Sequence, residues 1–501
     1  MTQNPSVSPA RRKVSTGVAG LDQILFGGLP RDRLYLVEGE PGTGKTTLAL
    51  QFLLQGRELG ERSLYVTLSE SKDELGDVAE SHGWSLEGIE LYELEATEER
   101  LKPEAEYTVF RPEDAELTDT IQDVYQQVQH FKPNLVVFDS LSEMRLLARD
   151  PLRYRRQILA LKQFFAGRHC TVLLLDDMTA TDRDLQLQSI SHGILSLERL
   201  GQEYGPFRRQ LSVVKLRGAL FQEGRHDYII QKGGLSVFPR LVAAEHRAAP
   251  DRSPFPSGIA ELDGLLGGAL HRGTSTLIIG PAGSGKSTLA AVYLRAAAER
   301  GEHAVAYVFE ESSDTLLDRM ATLGTDLKQH VGSGKIRIQQ IDPAELCPGQ
   351  FAHQLQKDVE QGGARVVVID SLNGYLNAMP NERFLLVQMH EVLSYLGAKG
   401  TVTILTMAQH GLVGAVMQSP IDISYLADTL IILRFFEFQG AVKRAISVVK
   451  HRKGAHEDTI RAFQLGPEGV RIGAPLQQFQ GVLTGVPVYR GAGRGLLDDD
   501  K

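Results

Sequence analysis

The chain carries one pattern twice. STGVAGLD (Ser15–Asp22) returns as PSGIAELD (Pro256–Asp263), GEPGTGKTTLA (Gly39–Ala49) as GPAGSGKSTLA (Gly280–Ala290), and YVTLSESKDEL (Tyr65–Leu75) as AYVFEESSDTL (Ala306–Leu316). All three pairs share one offset of 241 positions, with no gap. Later landmarks recur at a slightly smaller offset: LVVFDSL (Leu135–Leu141) with VVVIDSL (Val366–Leu372), and VVKLRG (Val213–Gly218) with VVKHRK (Val448–Lys453). Whatever the fold, it is built twice, as a tandem duplication of a unit of roughly 230 residues. This reading divides the 501 residues into a disordered leader (1–14), a first domain (15–245), a second domain (256–490) and a disordered tail (491–501). VAAEHRAAPDRSPF (Val242–Phe255), where Ala, Pro and charge replace apolar periodicity, marks the join.

Each unit alternates short apolar runs with longer helical patterns. In the first, LYLVEGE (34–40), SLYVTLSE (63–70), NLVVFDS (134–140) and TVLLLDD (171–177) read as buried strands. Between them, TTLALQFLLQGREL after Lys45 and LRYRRQILALKQFF from Leu152 place apolar residues at helical spacing. Near-continuous Val, Leu and Ile in strands separated by helices predicts a mostly parallel sheet covered on both faces. The successive runs ILSLERL, RQLSVVKL, HDYIIQ and LSVFPR then predict an antiparallel extension at one edge. The expected class is therefore α/β, with two tandem domains of this layout.

Composition narrows the function. Hydrophobic residues at 42% and charged residues at 23% suit a folded chain and exclude wholesale disorder. The 54 Lys and Arg against 62 Asp and Glu give a net charge of −8, opposite to the balance of proteins that coat DNA, which argues against a nucleic-acid partner. Two distant cysteines, Cys170 and Cys347, allow no disulfide framework or zinc cluster and suit a reducing compartment. Arg11, Arg12 and Lys13 are not followed by an apolar signal region, and no apolar run is long enough to span a membrane. A cytoplasmic location is expected.

Gly39–Thr46 and Gly280–Ser287 both fit GxxxxGK(S/T), each after an apolar strand and before a helix, the context that this motif requires. Glycines let backbone N–H groups turn inward around phosphate oxygens, and the helix N-terminus adds its positive dipole end. The predicted nucleotide-binding residues are Gly39, Glu40, Pro41, Gly42, Thr43, Gly44, Lys45, Thr46 and Thr47, then Gly280, Pro281, Ala282, Gly283, Ser284, Gly285, Lys286, Ser287 and Thr288. Lys45 and Lys286 would answer the β and γ phosphates of ATP, while Thr46 and Ser287 offer hydroxyls to Mg2+. Asp139 and Asp370, each ending an apolar strand before Ser-Leu, are the expected second metal ligands; the competing role is a helix N-cap.

Hydrolysis further needs a carboxylate to align or deprotonate the nucleophile. Glu310 and Glu311 follow a strand of the second half, and mutual repulsion should raise the pKa of one of them. The matching positions of the first half are Ser69 and Glu70, so Glu70 alone is left to align a water or to stand as a solvated acid.

The paired P-loops, the G(V/I)xxLD opening, the EES segment (Glu310–Ser312) and the late KxR strand resemble, from about Ser15 to about Gly473, the KaiC family of two-domain RecA-like ATPases and autokinases of the circadian clock. The resemblance implies a homohexamer of two stacked rings with nucleotide between neighbouring subunits. Lys215 and Arg217 would then reach a neighbour's site in the first ring, and Lys450 and Arg452 in the second, as charge stabilisation supplied in trans. Read alone, these strands carry ordinary alternating charge. The family phosphorylates itself on adjacent Ser and Thr. Here PIDISYLADTLIIL (Pro420–Leu433) puts Ser424 at the serine position and Tyr425 where threonine would stand, so a two-site cycle is not expected. Glu310 would be the base for Ser424, with Glu311 modulating it.

Three functions remain in competition: a hexameric Mg2+-dependent ATPase with serine autokinase capacity, a DNA-dependent ATPase on the same core, and an ATP-gated scaffold for a signalling protein partner. His82, Trp84 and His410 read as packing or surface residues, and the acidic stretch Glu90–Glu116 as a surface insert.

Overall fold

The computed structural model describes residues 13–94, 112–148, 150–178, 185–201, 205–246, 249, 251–377, 382–409, 425–483 and 488–489. The chain divides into two compact units, Met1–Arg240 and Leu241–Lys501.

In the first unit β1 (Lys13–Val14) and β2 (Leu29–Pro30) form a short antiparallel pair. Then follow β3 (Leu34–Gly39), β4 (Ser63–Thr67), β5 (Ile89–Glu93), β6 (Leu135–Asp139), β7 (Thr171–Asp176), β8 (Gly193–Leu200), β9 (Arg208–Leu216), β10 (Arg225–Gln231) and β11 (Gly234–Phe238). These nine make one sheet in the order β11-β10-β9-β8-β3-β7-β6-β4-β5. Pairs from β5 to β8 are parallel, and those from β8 to β11 antiparallel.

The helices are α1 (Ala19–Ile24), α2 (Lys45–Glu58), α3 (Lys72–His82), α4 (Pro112–Phe131), α5 (Leu141–Ala148), α6 (Pro151–Phe165) and α7 (Leu185–Ile190). Side chains of β3 alternate between two cores: Tyr35 and Val37 join Leu48 and Phe52 of α2, whereas Leu34 and Leu36 join Ile158, Leu161 and Phe165 of α6. A strand covered on both faces is apolar over its covered length, which is why residues 34–37 of β3 show no polar alternation.

The second unit repeats the plan. β12 (Pro254–Phe255) pairs β13 (Leu270–His271). The main sheet takes β14 (Ser275–Gly280), β15 (His303–Val308), β16 (Ile336–Gln340), β17 (Ala364–Asp370), β18 (Val402–Ala408), β19 (Thr429–Phe438), β20 (Ala441–His451), β21 (Arg461–Gly466) and β22 (Gly469–Pro475). Their order, β16-β15-β17-β18-β14-β19-β20-β21-β22, is that of the first sheet strand for strand. Helices are α8 (Ala260–Leu265), α9 (Lys286–Glu299), α10 (Ser313–Thr322), α11 (Lys328–Gly332), α12 (Pro348–Glu360), α13 (Leu372–Leu376) and α14 (Glu382–Ala398).

Three details differ from expectation. Lys13 and Val14, read as leader, belong to the fold: Val14 is buried, and Lys13 Nζ donates to the carbonyls of Leu25 and Phe26 at 2.6 and 3.0 Å. Residues 241–245, read as the end of the first domain, belong to the second unit, where Leu241 is buried in the core and the Ala243 N–H donates to Glu391 of α14 at 2.9 Å. The acidic stretch starts as the edge strand β5, because Ile89, Leu91 and Tyr92 pack against the cores between its acids. The tail 491–501, His410 and Ser424 lie outside the described residues.

Candidate active sites

In each unit the central parallel strand runs into a glycine loop and then a helix. Gly42 and Gly44 have φ of +81° and +90°, and Gly283 and Gly285 have +73° and +105°. L side chains rarely adopt such angles. A Cβ on Gly39 would come within 2.6 Å of the Leu197 carbonyl oxygen, and one on Gly280 within 2.7 Å of that of Leu433. Gly44 and Gly285 are the N-caps of α2 and α9 and bring no capping side chain, which leaves the first-turn N–H groups open to an anion.

Lys45 Nζ lies 2.8 Å from the Gly39 carbonyl oxygen, 3.2 Å from that of Glu40, and 2.8 Å from Asp177 Oδ1. The Thr46 hydroxyl donates to Asp139 Oδ2 at 3.2 Å, so the predicted metal pair meets across the sheet edge. Tyr65 of β4 donates to the same oxygen at 2.5 Å. Burial raises the Asp139 carboxyl above the usual range, against the lowering effect of the Tyr65 bond. Glu70 is pushed up to about 7, chiefly by burial and then by the negative charges of Asp139, Glu74 and Asp177. Its Oε2 is buried and has no hydrogen-bond partner. Backbone bonds hold the residue in place: the Thr67 hydroxyl donates to the Glu70 carbonyl at 2.6 Å and accepts the Glu70 N–H at 3.0 Å.

In the second unit Lys286 Nζ donates to the Pro281 carbonyl at 2.9 Å, and burial lowers its pKa. Asp370 accepts the hydroxyl of Thr406 rather than that of Ser287. Glu310 and Glu311 turn to separate partners: Glu310 accepts from the Ser371 hydroxyl, and Glu311 pairs with Arg319 of α10. In the first unit the carboxyl raised toward neutrality is that of Glu70. The hydroxyls of Ser284 and Thr288 are buried without a hydrogen-bond partner beside the second loop.

The KxR side chains turn onto their own chain. Lys215 donates to the Gln188 carbonyl, Arg217 to that of Ser189 at 2.9 Å, and Lys162 to that of Ile190 at 2.8 Å, all at the carboxyl end of α7. Burial, with Arg217 and Lys162 nearby, lowers the pKa of Lys215. Likewise Lys450 donates to the Ala427 carbonyl at 2.8 Å and Arg452 to that of Tyr425 at 3.1 Å. Tyr425 is exposed. His82 stacks on Trp84 and donates from Nδ1 to the Gln231 carbonyl at 3.0 Å, a packing role for both.

Sequence reasoning missed Tyr65, Thr406 and Asp177. Only Asp177 left a signal, as the second acid closing LLLDD on the strand beside the P-loop strand.

Fold and sites together define a tandem P-loop NTPase of the RecA-like class. The family described as "ATPase: KaiC" matches residues 14–242 and 255–477, one copy on each unit, and the chain belongs to that family. It is 27% identical over 493 residues to the circadian clock oscillator protein KaiC of Synechococcus elongatus, covering 97% of this chain and 93% of that protein. Identity to the protein of that name from Picosynechococcus sp. is 26% over 485 residues, covering 95% and 92%. To the circadian clock protein KaiC3 of Synechocystis sp. it is 25% over 492 residues, covering 95% of each. No helix among the described residues is long and apolar enough to cross a membrane.

Proposed function

We propose that both units bind ATP with Mg2+, that the chain hydrolyses ATP, and that it works as a hexameric signalling or timing ATPase. The observation that carries the hydrolase reading is the first site: Lys45, the Thr46–Asp139 pair and the unpartnered oxygen of Glu70 converge at one loop. The glycine cradle, the uncapped helix starts and the partnerless hydroxyls of Ser284 and Thr288 suit a phosphate chain. Thr46 with Asp139, and Ser287 with Asp370, would hold Mg2+, which when bound neutralises charge on the phosphate oxygens. Lys45 and Lys286 orient the β and γ phosphates. Glu70 accepts the proton of the attacking water once it is ionised, that is, above a pH of about 7.

Assembly is supported by Val214 and Val449, 52% and 48% exposed, each standing next to a KxR lysine on the same strand. An apolar residue held out beside a cation suits packing on another copy, where Lys215, Arg217, Lys450 and Arg452 would meet its phosphates. A serine autokinase activity at Ser424 is the second part of the reading. Its support is that Lys450 and Arg452 grip the backbone just after that serine. Glu310 would act as its base and Glu311, paired with Arg319, would modulate it.

The test is ATP turnover by the purified chain and by Lys45→Ala, Lys286→Ala and the double variant. Turnover that survives the double variant would remove the hydrolase reading. Incubation with labelled ATP and mapping of the label by mass spectrometry tests the kinase part: label on Ser424 that is lost in Glu310→Gln supports it, and an unlabelled chain rejects it.

A further inference from the structure

We propose that Asp177 is a specificity-determining carboxylate of the first P-loop, one that narrows the preference of that unit for ATP over ADP relative to the second unit. The inference rests on the reading that both loops bind nucleotide.

Strand β7 lies between β3 and β6, so its carboxyl end opens beside the P-loop and beside Asp139. There Asp177 Oδ1 stands 2.8 Å from Lys45 Nζ. The Ser142 hydroxyl donates to Asp177 Oδ2 at 3.3 Å, and the Asp177 N–H lies 3.3 Å from the same hydroxyl oxygen, which fixes the carboxylate from its far side. The pair is sheltered, with side-chain exposures of 6% for Lys45 and 29% for Asp177. Sheltered charges interact more strongly than surface ones.

The second unit lacks this carboxylate. Glu38 of β3 pairs with Asp176 of β7, whereas Ile279 of β14 pairs with Met407 of β18 and the next residues, Gly280 and Ala408, also pair. One residue further along β7, Asp177 therefore stands where the second unit has Ala408. Among the described residues Lys286 forms no ion pair and is held by a neutral carbonyl.

A P-loop lysine already answered by a carboxylate must exchange that partner for phosphate. The displaced carboxylate stays tethered by Ser142, a negative charge beside the incoming anion. A triphosphate brings one more charge to that place than a diphosphate does, so ATP is disfavoured more than ADP.

The experiment uses the full chain carrying Lys286→Ala, so that only the first site reports, titrated calorimetrically with ATP and with ADP. Asp177→Ala and Asp177→Asn should each tighten ATP by about tenfold and ADP by clearly less. The Asn variant keeps the shape and the Ser142 contact, so a folding defect cannot imitate this result. An unchanged ATP-to-ADP ratio, or weaker ATP binding, in both Asp177 variants overturns the inference and leaves nucleotide binding standing. If neither nucleotide binds in any variant, the binding reading itself fails, and this inference with it.

Discussion

Glu70 shows how one residue ties chemistry to stability. Its carboxyl is pushed up to about 7 in the fold, from an ordinary value of 4.5, mainly by burial. A carboxyl raised on folding favours the folded chain while it is protonated, and that advantage is lost as pH rises from about 4.5 through about 7. Glu70→Gln should therefore raise the unfolding free energy of the first unit at pH 8 by about 1–2 kcal/mol, once screening on its open side is allowed for, with the gain vanishing near pH 4. Denaturant melts at the two pH values check it, and equal effects at both would reject it. The same variant should lose most hydrolysis by the first site, and wild-type turnover there should climb through about pH 7. A flat profile in the Lys286→Ala background would show that Glu70 is not the base.

Neither the raised carboxyl nor the hydroxyls on the two strand-end aspartates could be read from the chain. Asp139 and Asp370 were legible because both close apolar strands before Ser-Leu. Tyr65 and Thr406 were not, because each lies on a different neighbouring strand and only the register of the sheet brings it to its aspartate.

At the scale of the element, the P-loops and the strands around them were legible because glycine spacing and continuous apolar runs are local signals. Strand β5 was not, since three apolar residues among acids make too short a pattern to stand out. The loop glycines also allow a graded test. Gly44 and Gly60 both have positive φ, but a Cβ on Gly44 would meet Ile230 Cδ1 at 2.6 Å, whereas one on Gly60 would meet nothing within 4 Å. Gly60→Ala should cost about 1 kcal/mol from backbone strain alone. Gly44→Ala should cost about 2–3 kcal/mol and abolish nucleotide binding by the first unit. Chemical unfolding and ATP titration of the two variants decide whether the steric clash matters beyond the strain. α3, which follows Glu70, is anchored by a capping box between Ser71 and Glu74. Ser71→Ala should cost about 1 kcal/mol in the same unfolding assay, and no change would mean that this cap is redundant.

For the molecule as a whole, the duplication was visible in the residues, and the common strand order of the two sheets is its physical expression. The limits of the units were less so, because Leu241 was read with the first domain and Ala243 with the join, although both dock on the second core. Assembly belongs to this scale. If Val214 and Val449 meet another copy, Val214→Glu and Val449→Glu should each shift the ATP-bound chain to lower mass in light scattering while leaving its melting temperature within about 2–3 °C. Unchanged mass in both would place the contact elsewhere.

The two copies hold their strand-end aspartate with hydroxyls drawn from different strands. Tyr65 serves Asp139, while the matching residue of the second copy is Ala306; Thr406 serves Asp370, while the matching residue of the first is Leu175. In terms of descent, the two arrangements are epistatic. A copy that loses its hydroxyl before gaining the other leaves its aspartate one donor short, a penalty of about 1–3 kcal/mol. An intermediate carrying both hydroxyls avoids that penalty, whereas Thr406→Leu alone in the second copy incurs it.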